Sequence, residues 1–403
     1  MKKIIFVVNT MGRAGAETAL LELLKALRHP DYELFLYVIM GQGEMIRYLP
    51  SHVKLLNDRF SEQSVLSQKG KRVMMKTVCR AFFKNGGYAG KLRGICRNAS
   101  EMRRAGRLQT DKLLWRMLSD GAQRFDDTFD LAVAYLEGAS AYYVADHVKA
   151  RKKAAFIHID YAGAGYTRAM DQGCWERFDR IFGVSDEVKE HFLRVYPEYE
   201  EKTGVFHNIV DQEAIRRRAG EAGGFQDDYD GMRLLTVGRL TRQKAYDIAI
   251  DAMKILKDRG YRARWYVLGE GDQRRALEKK IHALGLDEDF LLPGAADNPF
   301  PYYRQTDLYV HATRFEGKSI AIQEAQTLGC AVIASDCNGN REQIRNGQDG
   351  ILCGLSPQAI ADSIGSLLED EEKRKRIGQE AAEKSTTQGQ ELQMLLELLE
   401  QGG

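Results

Sequence analysis

Residues 233–244 read Arg233-Leu234-Leu235-Thr236-Val237-Gly238-Arg239-Leu240-Thr241-Arg242-Gln243-Lys244. A run suited to a buried strand meets a glycine, a basic turn follows, and residues 246–259 then repeat apolar side chains at helical spacing. The same rhythm recurs down the second half of the chain. Compact apolar runs at 263–268, 290–292, 308–311, 331–334 and 350–353 predict strands, with helices at 273–284, 319–328 and 357–369 between them. Alternation at this spacing predicts a doubly wound α/β fold, a parallel sheet with helices on both faces. Ligands of such sheets bind outside the carboxyl ends of the strands, where the loop 238–244 falls.

Toward the N-terminus the signals repeat. Strands are expected at 3–8, 33–40, 131–135, 154–159 and 180–184, with a helix at 16–27. The 403 residues are too many for one ordinary core and suit two domains. The division expected is 1–212, carrying a basic helical insert at about 60–126, then 213–384, then a helix in 385–403 that crosses back to the first domain. That last helix has Leu392, Leu395, Leu396 and Leu399 on one side. The Gly/Asp-rich run 220–231 reads as the linker region.

A net charge of +2 with 29% charged residues singles out no partner. Met1-Lys2-Lys3 and the apolar residues up to Val8 are too short for a signal peptide, and Asn9 and Arg13 follow without a cleavage pattern. No stretch approaches the ~18 apolar residues that cross a bilayer. Cys79, Cys96, Cys174, Cys330, Cys337 and Cys353 form no CxxC pair and have no histidine at zinc-finger spacing. Reduced, mostly buried thiols in a cytoplasmic protein are expected.

Two loops carry charge suited to phosphate. Gly238 lets a ligand approach the backbone, Arg239 can fork two phosphate oxygens, and Lys244 adds a compact charge. On spacing alone the same loop is equally a solvated basic turn. Arg314-Phe315-Glu316-Gly317-Lys318-Ser319 follows the strand 308–311 and opens a helix. The amides of Gly317, Lys318 and Ser319 would point out of that helix N-terminus and favour an anion. Glu316 and Glu324 lie slightly more than two helical turns apart, roughly on one side. Both would suit neutral sugar hydroxyls. Taken alone, a capping Glu316 and an ordinary surface Glu324 are the favoured reading.

Glu316, Gly317 and Glu324-Ala325, then Gly329, Ala331-Val332-Ile333-Ala334-Ser335-Asp336 and Gly339, resemble the retaining group-one, family-four glycosyltransferases of the GT-B fold. Leu291-Leu292-Pro293-Gly294, Asp307-Leu308-Tyr309-Val310 and Gly238-Arg239-Leu240 with Gln243-Lys244 and Asp247 fit the same pattern. So, more loosely, do Gly15-Ala16-Glu17, Phe156-Ile157-His158, Val184-Ser185 and Phe206-His207-Asn208-Ile209-Val210-Asp211. Residues 58–126 lie outside the resemblance. Ala14 stands where the family often has a first glycine, and Lys318 is not the commonest residue after Glu-Gly.

The resemblance implies two Rossmann-like domains facing across a cleft. It implies a nucleotide-sugar donor held by Gly238, Arg239 and Lys244 at the diphosphate, and by Glu324 at the ribose. Glu316, with the backbone of Gly317, Lys318 and Ser319, would address the donor sugar and distal phosphate. Gly15 would approach from the first domain and His158 would lie near the transferred sugar. His158, Glu316, Arg239 and Lys244 form the catalytic set. The implied reaction is retaining transfer of a hexose or N-acetylhexosamine, with UDP as the favoured nucleotide and no metal or other cofactor. A glycan or lipid-linked acceptor in cell-surface polysaccharide synthesis would receive the sugar. A sugar-nucleotide epimerase on the same fold and a non-catalytic carbohydrate-binding protein are the competing readings. Retention of Arg239, Lys244, Glu316 and Glu324 together argues against a binding relic.

Asp287-Glu288-Asp289 spells a metal-binding DxD but falls between a helix and a strand, where a solvated turn is expected. From Lys69 to Arg107 the insert is basic: Lys69, Lys71, Arg72, Lys76, Arg80, Lys84, Lys91, Arg93, Arg97, Arg103, Arg104 and Arg107, against Glu101 alone. Met74, Val78 and Phe82 share one helical face, and Lys76, Arg80 and Lys84 another. Such a helix suits an anionic membrane surface, which would hold the enzyme peripherally at the inner face of the cell membrane. It equally suits a solvated face packed on the first domain. No nucleic-acid motif accompanies the charge, so no nucleic-acid partner is expected.

Overall fold

The computed structural model describes residues 1–65, 67–104, 112–161, 163–384 and 388–400. Its contacts divide the chain into two units, one of Met1–Ile209 with the described part of Thr387–Gly403, the other of Val210–Thr386.

The first unit holds β1 (Lys2–Val8), β2 (Tyr32–Val38), β3 (Val53–Leu55), β4 (Thr128–Ala134), β5 (Lys149–Ile157), β6 (Arg180–Gly183) and β7 (Thr203–Val205). They lie in the order β3-β2-β1-β4-β5-β6-β7. The second holds β8 (Met232–Val237), β9 (Ala263–Leu268), β10 (Phe290–Gly294), β11 (Leu308–His311), β12 (Val332–Ser335) and β13 (Ile351–Cys353), in the order β10-β9-β8-β11-β12-β13. Every one of these pairings is parallel. Strand order reverses between β1 and β4 in one sheet and between β8 and β11 in the other. These are the topological switch points where doubly wound sheets take ligands.

Alternate side chains of the second sheet feed two cores. Leu234, Trp265, Val267 and Val310 point to one, and Leu235, Tyr266, Leu268 and Tyr309 to the other. Burial on both faces is why these strands read as unbroken apolar runs. The buried Thr236 is paired: the Trp265 indole donates to its hydroxyl at 2.9 Å, which donates to the Val310 carbonyl at 2.5 Å. Along the C-terminal helix Gln388–Glu400, Leu395, Leu398 and Leu399 are buried, and Lys2 Nζ donates to the Leu399 carbonyl at 2.9 Å.

Two expectations need correction. The run 220–231 belongs to the body of the second unit. Phe225 packs on Tyr266, ring centroids 4.4 Å apart, and Asp227 pairs with Arg233 and Arg264. The cysteines are free but not mostly buried: Cys79 and Cys96 are exposed and Cys337 is half-buried.

The basic part of the insert folds as two helices, Gln68–Phe83 and Tyr88–Arg104, with Asn85, Gly86 and Gly87 at positive φ between them. Its apolar face is not free. Val78, Phe82 and Ile95 pack against the core of the first unit, and Gly121 passes so close that a Cβ there would lie 2.1 Å from the Ala81 carbonyl oxygen. Nor does Lys91 belong to the exposed charge. It is buried, and its ammonium donates to the carbonyls of Ala81, Phe82 and Lys84 at the end of the first helix. A cation there satisfies carbonyls the helix leaves open. Arg107 lies outside the described residues.

Candidate active site at the carboxyl edge of the second sheet

The loop after β8 runs through a short 3₁₀ turn, Arg242–Lys244, into the helix Tyr246–Asp258. Between them Ala245, fully buried, takes φ +48°, a left-handed conformation costly for any side chain. The loop after β11 is stitched to this turn. Arg314 N and Thr313 Oγ1 both donate to the Gln243 carbonyl, at 2.8 and 3.1 Å, and Gln243 Nε2 donates to the Phe315 carbonyl at 2.9 Å. The Arg314 guanidinium grips Asp247 with two parallel bonds of 3.0 and 2.7 Å. Gly339 seals the far side: a Cβ there would lie 2.2 Å from the Glu316 carbonyl oxygen and 2.3 Å from that of Gly317.

This stitching brings three side chains together at the β8/β11 switch point. Lys244 Nζ pairs with Glu316 Oε2. His311, the last residue of β11 and fully buried, meets the same oxygen through Nε2 at 3.1 Å and Lys244 Nζ at 3.4 Å. Its Nδ1 faces the Tyr309 hydroxyl at 3.3 Å. Burial alone would raise the Glu316 carboxyl, but the Lys244 charge and the His311 bond outweigh it and hold it down at about 2. Burial first, then the Lys244 charge, keeps the His311 imidazole below its ordinary value against the pull of Glu316. At neutral pH Glu316 is therefore a carboxylate and His311 a neutral imidazole. Arg239 stands exposed on the same loop, and its guanidinium makes no hydrogen bond or ion pair among the described residues. A Cβ at Gly238 would press on the Tyr246 hydroxyl at 3.0 Å, so glycine keeps the turn close to the helix.

Glu324 is buried in the helix Ile320–Thr327 and accepts from the Tyr303 hydroxyl at 3.0 Å. The helix begins later than expected. Ser319 is its cap residue, in extended backbone, and Gly317 and Lys318 belong to the preceding loop. The amides opening the helix are those of Ile320 onward.

At the other switch point, Gly15 is the first residue of the helix Gly15–Ala26, with no atom within 4 Å of where a Cβ would lie. Asn9 ties the ends of β1 and β4, donating to the Glu137 carbonyl at 3.1 Å and accepting from Ser140 N at 2.9 Å. His158 follows β5, and its backbone N donates to the buried Glu137 carboxyl at 3.0 Å. The His158 ring leans on Tyr135, centroids 5.0 Å apart, with Nε2 shut from solvent and without a partner among the described residues. Burial pushes this imidazole down to about 4, so it is neutral at pH 7.

His311 and Glu137 were not legible as site residues. The available signal for His311 was a histidine ending an otherwise apolar strand, five residues before Glu316. Asp287 and Asp289 precede β10, at the amino edge of the sheet, and pair with His282 and Lys257. In the first unit Asp120, Asp146 and His147 offer ligand atoms within 4.8 Å of one another, but Asp146 is already held by Arg116 and Arg177.

Residues 227–384, within the second unit, match the family described as glycosyl transferases group 1. The N-acetylgalactosamine-N,N'-diacetylbacillosaminyl-diphospho-undecaprenol 4-alpha-N-acetylgalactosaminyltransferase of Campylobacter jejuni is 28% identical over 50% of this chain and 54% of its own. The alpha-D-kanosaminyltransferase of Streptomyces kanamyceticus is 31% identical over 43% of this chain and 45% of its own. The chain thus spans about half the length of the curated relatives it matches. Among solved structures, Anabaena Alr3699/HepE in complex with UDP aligns over 100% of both chains at 19% identity, with a TM-score of 0.67. The fold is that of GT-B glycosyltransferases.

Proposed function

We propose that this chain, whose second unit matches the group 1 glycosyl transferases, is a retaining, metal-independent glycosyltransferase. It moves a hexose or N-acetylhexosamine from a UDP-sugar to a glycan or lipid-linked acceptor in cell-surface polysaccharide synthesis. The observation that carries this reading is the Lys244–His311–Glu316 cluster at the β8/β11 switch point, with Arg239 exposed on the same loop.

An incoming diphosphate competes with Glu316 for Lys244 and draws Arg239 onto its oxygens. These fixed cations meet the negative charge that develops as the anomeric bond breaks. They do the work that a divalent ion does in other transferases. Glu316, an anion throughout, turns to the hydroxyls of the donor sugar. Glu324 and the Gly317–Ser319 backbone complete the ribose and phosphate contacts. Attack on the same face, with the leaving phosphate taking the acceptor's proton, needs no protein nucleophile. His158, neutral, offers its imidazole dipole to the transferred sugar, and Gly15 leaves space before a helix N-terminus. The Campylobacter relative supports a lipid-linked acceptor and the HepE complex supports UDP. A lipid-linked acceptor calls for peripheral attachment through the basic insert.

Incubation with UDP-sugars in chelator, without acceptor, tests the class of reaction. Slow hydrolysis to UDP and the unchanged sugar is expected. A change of configuration in the sugar would mark an epimerase, and activity abolished by chelation would contradict metal independence.

A further inference from the structure

The helical insert ends in a turn that the donor site does not use. Phe83 and Tyr88 flank it, 67% and 50% exposed, with ring centroids 5.9 Å apart and the Tyr88 hydroxyl donating to the Phe83 carbonyl at 3.3 Å. Met75 and Leu92, 63% and 56% exposed, extend the apolar surface along the two helices. Met74 on the same helix is also partly exposed, and the remaining large exposed apolar side chains among the described residues, Met1 and Phe315, stand apart. Phe83, Tyr88, Met75 and Leu92 are not spill from the core, because the inward residues Val78, Phe82 and Ile95 already fill the contact with the first unit. Lys71, Arg72, Lys76, Arg80, Lys84 and Arg93 surround them, exposed and without ion pairs among the described residues. The turn itself is built to hold its shape, since the Lys91 ammonium binds three carbonyls from Ala81 to Lys84.

An apolar, aromatic tip ringed by unpaired cations has one complementary partner in charge and polarity. A second copy would bring like charges together. A bilayer with anionic headgroups offers acyl chains to the tip and phosphates to the ring. We propose that the hairpin Gln68–Arg104 anchors the protein to an anionic membrane by inserting Phe83 and Tyr88, with Arg80, Lys84 and Arg93 on the headgroups. This deepens the reading of a lipid-linked acceptor and rests on it: the acceptor's headgroup would wait at the surface where the anchor lands. It also reassigns the apolar part of the contact, from the stripe of Val78 and Phe82 to the turn.

The full chain is sedimented with phosphatidylglycerol vesicles and, separately, phosphatidylcholine vesicles. Binding to the first at low salt and little to the second is expected. Phe83→Ser with Tyr88→Ser should weaken binding at least about tenfold and leave its salt dependence in place. Lys76→Glu with Lys84→Glu should remove the salt-sensitive part. Phe83→Trp should be quenched by brominated acyl chains on vesicle binding. Absence of binding to phosphatidylglycerol at low salt overturns the proposal, as does a serine variant that binds like the wild type while its unfolding midpoint is unchanged. A dimer dissolved by the serine variant, without vesicle binding, overturns it in favour of self-association. UDP binding by the wild type in vesicle-free buffer is read in parallel. If UDP binds and vesicles do not, only the membrane inference fails; if UDP does not bind, the transferase reading fails.

Discussion

At the scale of single residues, the proposed chemistry rests on charges held ready before a ligand arrives. Lys244→Ala or Arg239→Ala should lower turnover by about 10²–10³-fold, the scale of losing one transition-state donor. Steady-state transfer or hydrolysis rates check this. His158 gives a stability test. Folded, it titrates at about 4 against an ordinary 6.5, so between those values the unfolded chain takes up a proton that the folded chain refuses. Its contribution is complete above pH 6.5 and is lost as pH falls toward 4. His311 moves in the same direction. The unfolding free energy should therefore fall through this window, and His158→Gln should remove on the order of 1–3 kcal/mol of that fall. Denaturant titrations across the window measure it. Arg239 and Lys244 stood out in the sequence as cations on a loop after an apolar strand, while Glu316 and Glu324, the latter inside a helix, were singled out only by the family resemblance. His311 was singled out by neither, because a histidine inside a core strand looks the same whether it packs or takes part in a charge cluster. Only the fold brings it to Glu316.

At the scale of elements, the loops at the switch point work as one stitched piece. Gly339, on the short helix Asn338–Arg341, permits the backbone of Glu316 and Gly317 to lie against it. Gly339→Ala puts a methyl where two carbonyl oxygens stand and should shift Glu316 away from Lys244. Turnover should drop by roughly 10²-fold, as for a misplacement of about 1 Å, with a smaller change in the unfolding midpoint. Kinetics and thermal melts on one sample separate the two. Central strands were legible to within a few residues because burial on both faces leaves a continuous apolar run. The edge strands β3 and β7 were not, being three residues each with little apolar signal. The start of the helix after Glu316 was placed one residue early, since Ser319 caps it in extended backbone and the sequence does not reveal where a loop gives way to a cap. The insert's helices were legible in kind, but their helical periodicity could not say which face the first unit would claim.

At the scale of the molecule, two doubly wound sheets each carry a switch point with its own polar residues. Asn9, Glu137 and His158 lie at or beside one, and Arg239, Lys244, His311 and Glu316 at the other. Alternation of strand and helix signalled both sheets. The boundary between the units did not follow composition: the polar run 220–231 belongs to the second unit because its aromatic and ionic side chains are tied into it. The most direct test of the donor site is calorimetric titration of the full chain with UDP and UDP-sugars, beside the Arg239→Ala, Lys244→Ala double variant. The wild type should bind at least one UDP-sugar, with affinity falling about 100-fold or more in the variant, roughly 2.7 kcal/mol. A folded variant that binds as tightly as the wild type would contradict the assignment of the β8/β11 switch point as the donor site.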